Sequence, residues 1–204
     1  MTDRLEVSEM KLLRGDIIET LYRTYGTDIR IAAIRNALRS KGLLPEEQLK
    51  KCIYYLGGEG KRYIHVEVNQ GNWMDSLAWL NPVGVNLAEG DKDDVGVIFD
   101  EGQARNSLEV TERKMLRGAV IETLYKTYGT DIRIAVLRNA LRSKGLILED
   151  ELKKCIFYLG GEQKEFTHVE VNQENWLDSL IWLNPVGVNL AEGDRDDMGV
   201  ILNE

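Results

Sequence analysis

Cysteine is almost missing from this chain: Cys52 and Cys155 are the only two among 204 residues. Two are too few for a disulfide framework, and with only two histidines, one in each half of the chain, they are too few for a zinc site. Both fall on the apolar side of a predicted helix and read as small buried hydrophobes. Long hydrophobic runs are missing too. No apolar stretch approaches the ~18 residues a membrane span needs, and the start, MTDRLEVSEM, has no apolar signal region. The expectation is a cytoplasmic protein that neither crosses nor anchors in a membrane. Excess positive charge is absent: the net charge is −8, which speaks against indiscriminate nucleic-acid binding.

Catalytic constellations are also lacking. His65 and His168 stand beside Glu67 and Glu170 with no second histidine in either half, which makes a poor metal or proton-transfer site. Asp91, Asp93 and Asp94 share only composition with a calcium loop, lacking its glycine and terminal glutamate. Gly57 and Gly58 follow a helix, whereas a phosphate cradle precedes one. No nucleophile, base and orienter come together, so the chain is read as a non-enzyme with no cofactor.

What the chain does have is a copy of itself. WLNPVGVNLAEGD occupies residues 79–91 and again 182–194. Shifting the sequence by 103 positions aligns Leu5–Glu101 with Leu108–Glu204 without a gap, and 73 of the 97 pairs are identical. A period this long is no solenoid repeat, because about 100 residues can bury a core of their own. The organisation expected is repeat 1 over 1–99, a polar linker over 100–107 (DEGQARNS) and repeat 2 over 108–204. Charge is unevenly spread within each repeat. Residues 27–62 hold eight Lys/Arg against four Asp/Glu, and 63–103 hold one against eight. The matching segments, 130–165 and 166–204, stand at seven against six and one against eight.

Periodicity supplies the elements. Ser8 is placed to cap a first helix, with Val7 and Leu12 as its staple and Leu13, Ile17, Leu21 and Tyr25 as its stripe. Gly26 stops it, and Thr27 caps a second helix at once. There Ile31, Ile34 and Leu38 face inward, Ala33 and Ala37 allow close approach, and Arg35, Asn36 and Arg39 face out. Pro45 opens a third helix with Leu49, Cys52, Ile53 and Leu56 buried. The period then falls to two over Ile64–Val68, a half-buried strand. NQGNW turns the chain into a second strand over 75–80, in which Trp79 is assigned to the core, as is Trp182 in the copy. Asn81 and Pro82 then start a short helix that Gly90 ends. The fold class is mainly α with small β-hairpins (α+β).

This order resembles a winged-helix domain over residues 8–90 and again over 111–193, hence two tandem winged-helix domains. The closing pattern L-x-P-x-G-x-x-L-x-E-G, at Leu80–Gly90 and Leu183–Gly193, is similar to the ending of many small prokaryotic and phage winged-helix proteins related to the MarR- and PadR-like regulators. The resemblance implies that the third helix, Pro45–Leu56 or Leu148–Leu159, enters a DNA major groove while the hairpin grips the flanking backbone. The implied contact residues are Arg35, Arg39, Lys50, Lys51 and Tyr54, with Arg138, Arg142, Lys153, Lys154 and Phe157 in the copy. Trp73 and Trp176, at the hairpin tip, either fold back or meet a partner.

The tip departs from the DNA-binding pattern. NQGNWMD contains no cation, and NQENWLD adds Glu174, although phosphate contacts supply much of the affinity for DNA. Two readings follow. One is a transcription regulator that binds double-stranded DNA as a covalent pseudo-dimer, with the first repeat binding more tightly because Gln48 and Arg62 become Glu151 and Glu165. The alternative is a protein–protein interaction module that keeps the fold without binding nucleic acid, using the wing or the acidic C-terminal segments. A further homodimer of the tandem unit is compatible with either.

Overall fold

Each repeat opens on a helix whose apolar face recurs at i+3 and i+4. In a computed structural model that describes residues 4–39, 42, 44–100, 107–145 and 149–202, this is α1 (Arg4–Arg23). Ile17, Ile18 and Leu21 on that face are buried. Next come β1 (Ile29–Arg30), α2 (Ile31–Leu38), α3 (Glu46–Gly57), β2 (Ile64–Glu67), a single 3-10 turn (Trp73–Asp75), β3 (Leu77–Leu80) and α4 (Pro82–Glu89). The second repeat runs α5 (Ser107–Tyr125), β4 (Ile132–Arg133), α6 (Ile134–Arg142), α7 (Glu149–Gly160), β5 (Thr167–Glu170), a 3-10 turn (Trp176–Asp178), β6 (Leu180–Leu183) and α8 (Pro185–Ala191). The chain divides into two compact units, Met1–Arg105 and Asn106–Glu204. Of the expected linker, residues 101–106 lie outside the described residues, as does Leu148, and Ser107 already belongs to α5. Among the described residues no helix is long and apolar enough to cross a membrane.

The class is α+β, with one three-stranded antiparallel sheet per repeat in the order β1-β3-β2 and β4-β6-β5. Ile64, His65, Val66 and Glu67 pair with Leu80, Trp79, Ala78 and Leu77. The core of the first repeat lies between the helices and this sheet. Ile31, Ile34, Leu49, Cys52, Ile53, Leu56, Ile64, Ala78, Leu80 and Val85 are all buried. Each large aliphatic side chain so placed contributes roughly 1.5–3 kcal/mol. Cys52 is a free thiol within that core, and burial pushes its pKa up to about 11.

Several boundaries differ from the sequence reading. α1 begins at Arg4, so Ser8 lies inside the helix and does not cap it. Thr27 does not start α2: its hydroxyl donates back to the Thr24 carbonyl at 2.6 Å. The chain then runs extended, and Ile29 and Arg30 pair with Ala78 and Leu77. The first amide of α2, at Ile31, donates to the Ser76 carbonyl at 2.9 Å, so the sheet satisfies the helix start that a side chain would otherwise cap. A two-residue strand has no period to read, which is why it escapes the pattern. Pro45 is the residue before α3, one earlier than the expected first turn. The returning strand starts at Leu77, because Trp73–Asp75 close a 3-10 turn. Ala33 and Ala37, expected to allow close approach, are exposed.

Trp79 and Trp182 are also corrected. Along β3, Ala78 and Leu80 face the core, and Trp79 takes the other face, where it stacks on its cross-strand partner His65 at 4.2 Å. Trp182 meets His168 at 4.4 Å in the same way. A strand alternates strictly, so once Leu80 points in, Trp79 must point out.

The repeated segment after β3 is a built corner. The Asn81 amide donates to the Tyr63 carbonyl, and its side chain donates to the Arg62 carbonyl at 3.1 Å. Gly84 then packs so near the Tyr63 carbonyl oxygen that a Cβ there would overlap it, and Gly187 stands likewise against Phe166. Gly90 closes α4 at φ 84°, a left-handed conformation that costs glycine little.

Candidate nucleic-acid interface

α3 buries one side on α1 and β2, which leaves Lys50, Lys51 and Tyr54 on the other side. Lys51 and Tyr54 are exposed, Tyr54 at 57%, and Lys50 is half-buried. The 3-10 turn at Trp73–Asp75 packs on α2 and brings the indole back toward α3. The Lys50 ammonium sits 5.9 Å from the centre of the Trp73 ring. In the second repeat Phe157 lies parallel to Trp176 at 5.9 Å, and Lys153 stands over both rings at 5.9 and 5.8 Å. The two tryptophans are therefore folded back onto the helix beside the lysines, half-buried, in place of projecting from the tip. Basic and aromatic side chains thus share one surface in each repeat.

The expected arginines divide. Arg39 and Arg142 are exposed, just past the last inward residues of α2 and α6. Arg35 is half-buried and reaches Glu46 at the start of α3, 3.7 Å away, so it ties the two helices together. Arg138 is half-buried at the matching position. Arg62 lies at the end of the hairpin opposite its tip, five residues beyond α3, so its change to Glu165 falls away from the α3 face.

The hairpin tip spends its polar groups on itself. Asn69 Oδ1 accepts from the amides of Gly71 and Asn72, and Asn72 Oδ1 accepts from the Met74 amide. Asn72 Nδ2 donates to Asp75 at 2.8 Å, and the buried Ser76 hydroxyl accepts from the Asn69 amide at 2.9 Å. Asn172, Asn175 and Ser179 repeat the pattern. These side chains fix the turn, and they carry no cation to a phosphate.

A second cluster was missed by the sequence reading. The acidic segment after α4 folds back over α1 and α3 as a strap, and Asp94 is its anchor, with 1% of its side chain exposed. Asp94 accepts from Tyr55 at 2.8 Å, Tyr63 at 2.7 Å, the Gly96 amide at 2.7 Å and Lys61 at 2.5 Å. Burial by itself would raise the Asp94 pKa. The bonds from Lys61, Tyr63, Gly96 and Tyr55 outweigh it and hold the carboxyl well below the usual carboxylate range. The bond to Asp94 raises the Lys61 pKa in turn, and burial followed by Asp94 raises that of Tyr63. Arg14 stacks over the Tyr55 ring at 3.8 Å and donates to the Gly96 carbonyl at 2.9 Å, while the Ile98 amide donates to Lys11.

The copy repeats the strap with Asp197, Lys164, Tyr158, Arg117 and Gly199, the lysine bonded directly to Asp197. Lys164 is more enclosed than Lys61, at 9% against 34%, and burial pulls its pKa down despite the Asp197 bond. Within the acidic segments offered as partner surfaces, Asp94 and Asp197 are therefore consumed inside the fold. Among the described residues no group of three or more His, Cys, Asp or Glu is arranged to hold a metal ion. No family model, no curated protein and no solved structure matches this chain.

Proposed function

We propose that this chain is a double-stranded DNA-binding protein, a transcription regulator in which two winged-helix domains act as a covalent pseudo-dimer. The observation that carries the reading is the convergence of Lys50, Lys51, Tyr54 and Trp73 on one solvent-facing side of α3, matched by Lys153, Phe157 and Trp176 beside α7. The order helix, strand, helix, helix, strand, strand, with α3 set beside a two-stranded hairpin, supports the winged-helix resemblance. A helix fits the major groove, lysines there meet phosphates or guanine edges, and an exposed ring meets a thymine methyl. Arg39 and Arg142 supply backbone contacts.

The rival reading, a protein-interaction module, is favoured by the self-bonded, cation-free hairpin tip. Fluorescence anisotropy with labelled duplex separates the two. The regulator predicts binding that weakens steeply between low and moderate salt, and a Lys50→Glu/Lys51→Glu chain that loses at least tenfold in affinity. Absence of binding at the lowest salt would overturn the DNA reading.

A further inference from the structure

The two α3-type faces differ in one arrangement that their 73 shared identities do not lead one to expect. In the second repeat Lys154 donates to Glu151 one turn earlier at 2.9 Å. Glu151 is in turn held by Arg113 of α5, whose Nε donates to it at 2.8 Å, and Arg113 also reaches Glu109 at 3.8 Å. All three members of the inner triad are largely covered, with side-chain exposures of 25%, 21% and 23% for Lys154, Glu151 and Arg113. The first repeat has Gln48 in place of Glu151 and Met10 in place of Arg113, so neither half of the lock exists there. Lys51 is exposed and makes no ion pair among the described residues.

We infer that Glu151 and Arg113 are specificity-determining residues that withdraw Lys154 from phosphate contact, so that the first repeat anchors the nucleic acid and the second engages it with one cation fewer. This inference rests on the DNA reading above. Net charge does not make the difference, since Arg113 offsets Glu151; availability does. A phosphate approaching Lys154 must displace a carboxylate that already holds two cations. A phosphate approaching Lys51 displaces only water. The carboxylate is kept ionised for this role, since its bonds to Lys154 and Arg113 outweigh burial and hold its pKa below the ordinary value.

The test uses the full chain, a labelled mixed-sequence duplex and a salt series, with circular dichroism melting to verify that each variant is folded. Removing one lysine–phosphate pairing reduces the slope of log affinity against log salt by about 0.9. Lys51→Gln is expected to lower the slope by about one and the affinity by roughly three- to tenfold, and Lys154→Gln to lower both by less than half as much. Glu151→Gln, which frees Lys154 while Arg113 keeps Glu109, is expected to tighten binding and steepen the slope by about one. Equal losses for Lys51→Gln and Lys154→Gln, with no gain for Glu151→Gln, would overturn the inference and leave the DNA reading standing. Failure of the unmodified chain to bind at any salt would overturn both.

Discussion

At the scale of single residues, Asp94 shows how burial and bonding decide what a charge does. In the sequence it is the third acid of a four-residue run, and it reads as part of an acidic segment offered to a partner. In the fold it receives four donors and joins α3, the segment before β2 and the strap. A clue was present: D-x-G-V-I follows the closing helix in both repeats, at Asp94–Ile98 and Asp197–Ile201, and an acid followed by two aliphatics suits a docked segment better than a tail. Hydrogen bonds to a charged group contribute about 1.5–3 kcal/mol and Lys61 keeps access to solvent, so Asp94→Asn, which keeps an acceptor, is expected to cost about 2 kcal/mol in urea denaturation. The sign of the pH dependence follows from the depressed Asp94 pKa. Its stabilisation is fully present above the unfolded carboxylate value of about 3.9 and is lost as pH falls through the folded value. Acid should therefore loosen the strap, and Asp94→Asn should flatten that part of the stability–pH curve. An unchanged acid limb in the variant would assign the loss to other carboxylates.

At the scale of elements, the strap and α1 explain a glycine that looks misplaced. Gly15 lies in the middle of a 20-residue helix, where glycine costs about 1 kcal/mol relative to alanine. Helix propensity alone therefore predicts that Gly15→Ala stabilises. A Cβ at Gly15 would overlap the Ile98 carbonyl oxygen, and one at Gly118 would overlap that of Ile201. Overpacking of that kind costs about 1–3 kcal/mol, the larger effect, so Gly15→Ala is expected to destabilise. A rise in the urea midpoint would show that the strap yields without cost. Most elements were legible because their signals are local: the 3.6 period of α1 to α3, the period of two in β2, and glycines at Gly26, Gly42 and Gly90 with positive φ. β1 was not legible, since its partner β3 is almost 50 residues away and two residues hold no pattern. The outward side chains of α3 were legible from the helix period. The Arg113–Glu151 lock was not, because its halves lie on different helices 38 positions apart.

At the scale of the molecule, duplication makes the chain its own control. Each unit has its own core, strap and pair of tryptophans, so Asp94→Asn alters one unit and leaves its twin as reference. Tryptophan fluorescence in urea is expected to resolve two transitions in that variant, the later one at the midpoint of the unmodified chain. A single shifted transition would mean that the two units unfold as one. The repeat itself was legible, since a gapless alignment needs no structural knowledge. The bond between the Ile98 amide and the Lys11 carbonyl, mirrored by Ile201 and Lys114, has an evolutionary consequence. The last described segment of each repeat returns to the first helix of its own unit. Such a unit can be copied in frame and joined by a few residues without unpicking its interior. The same closure means that a repeat cut in an exposed turn and resealed between its old ends should still know how to fold.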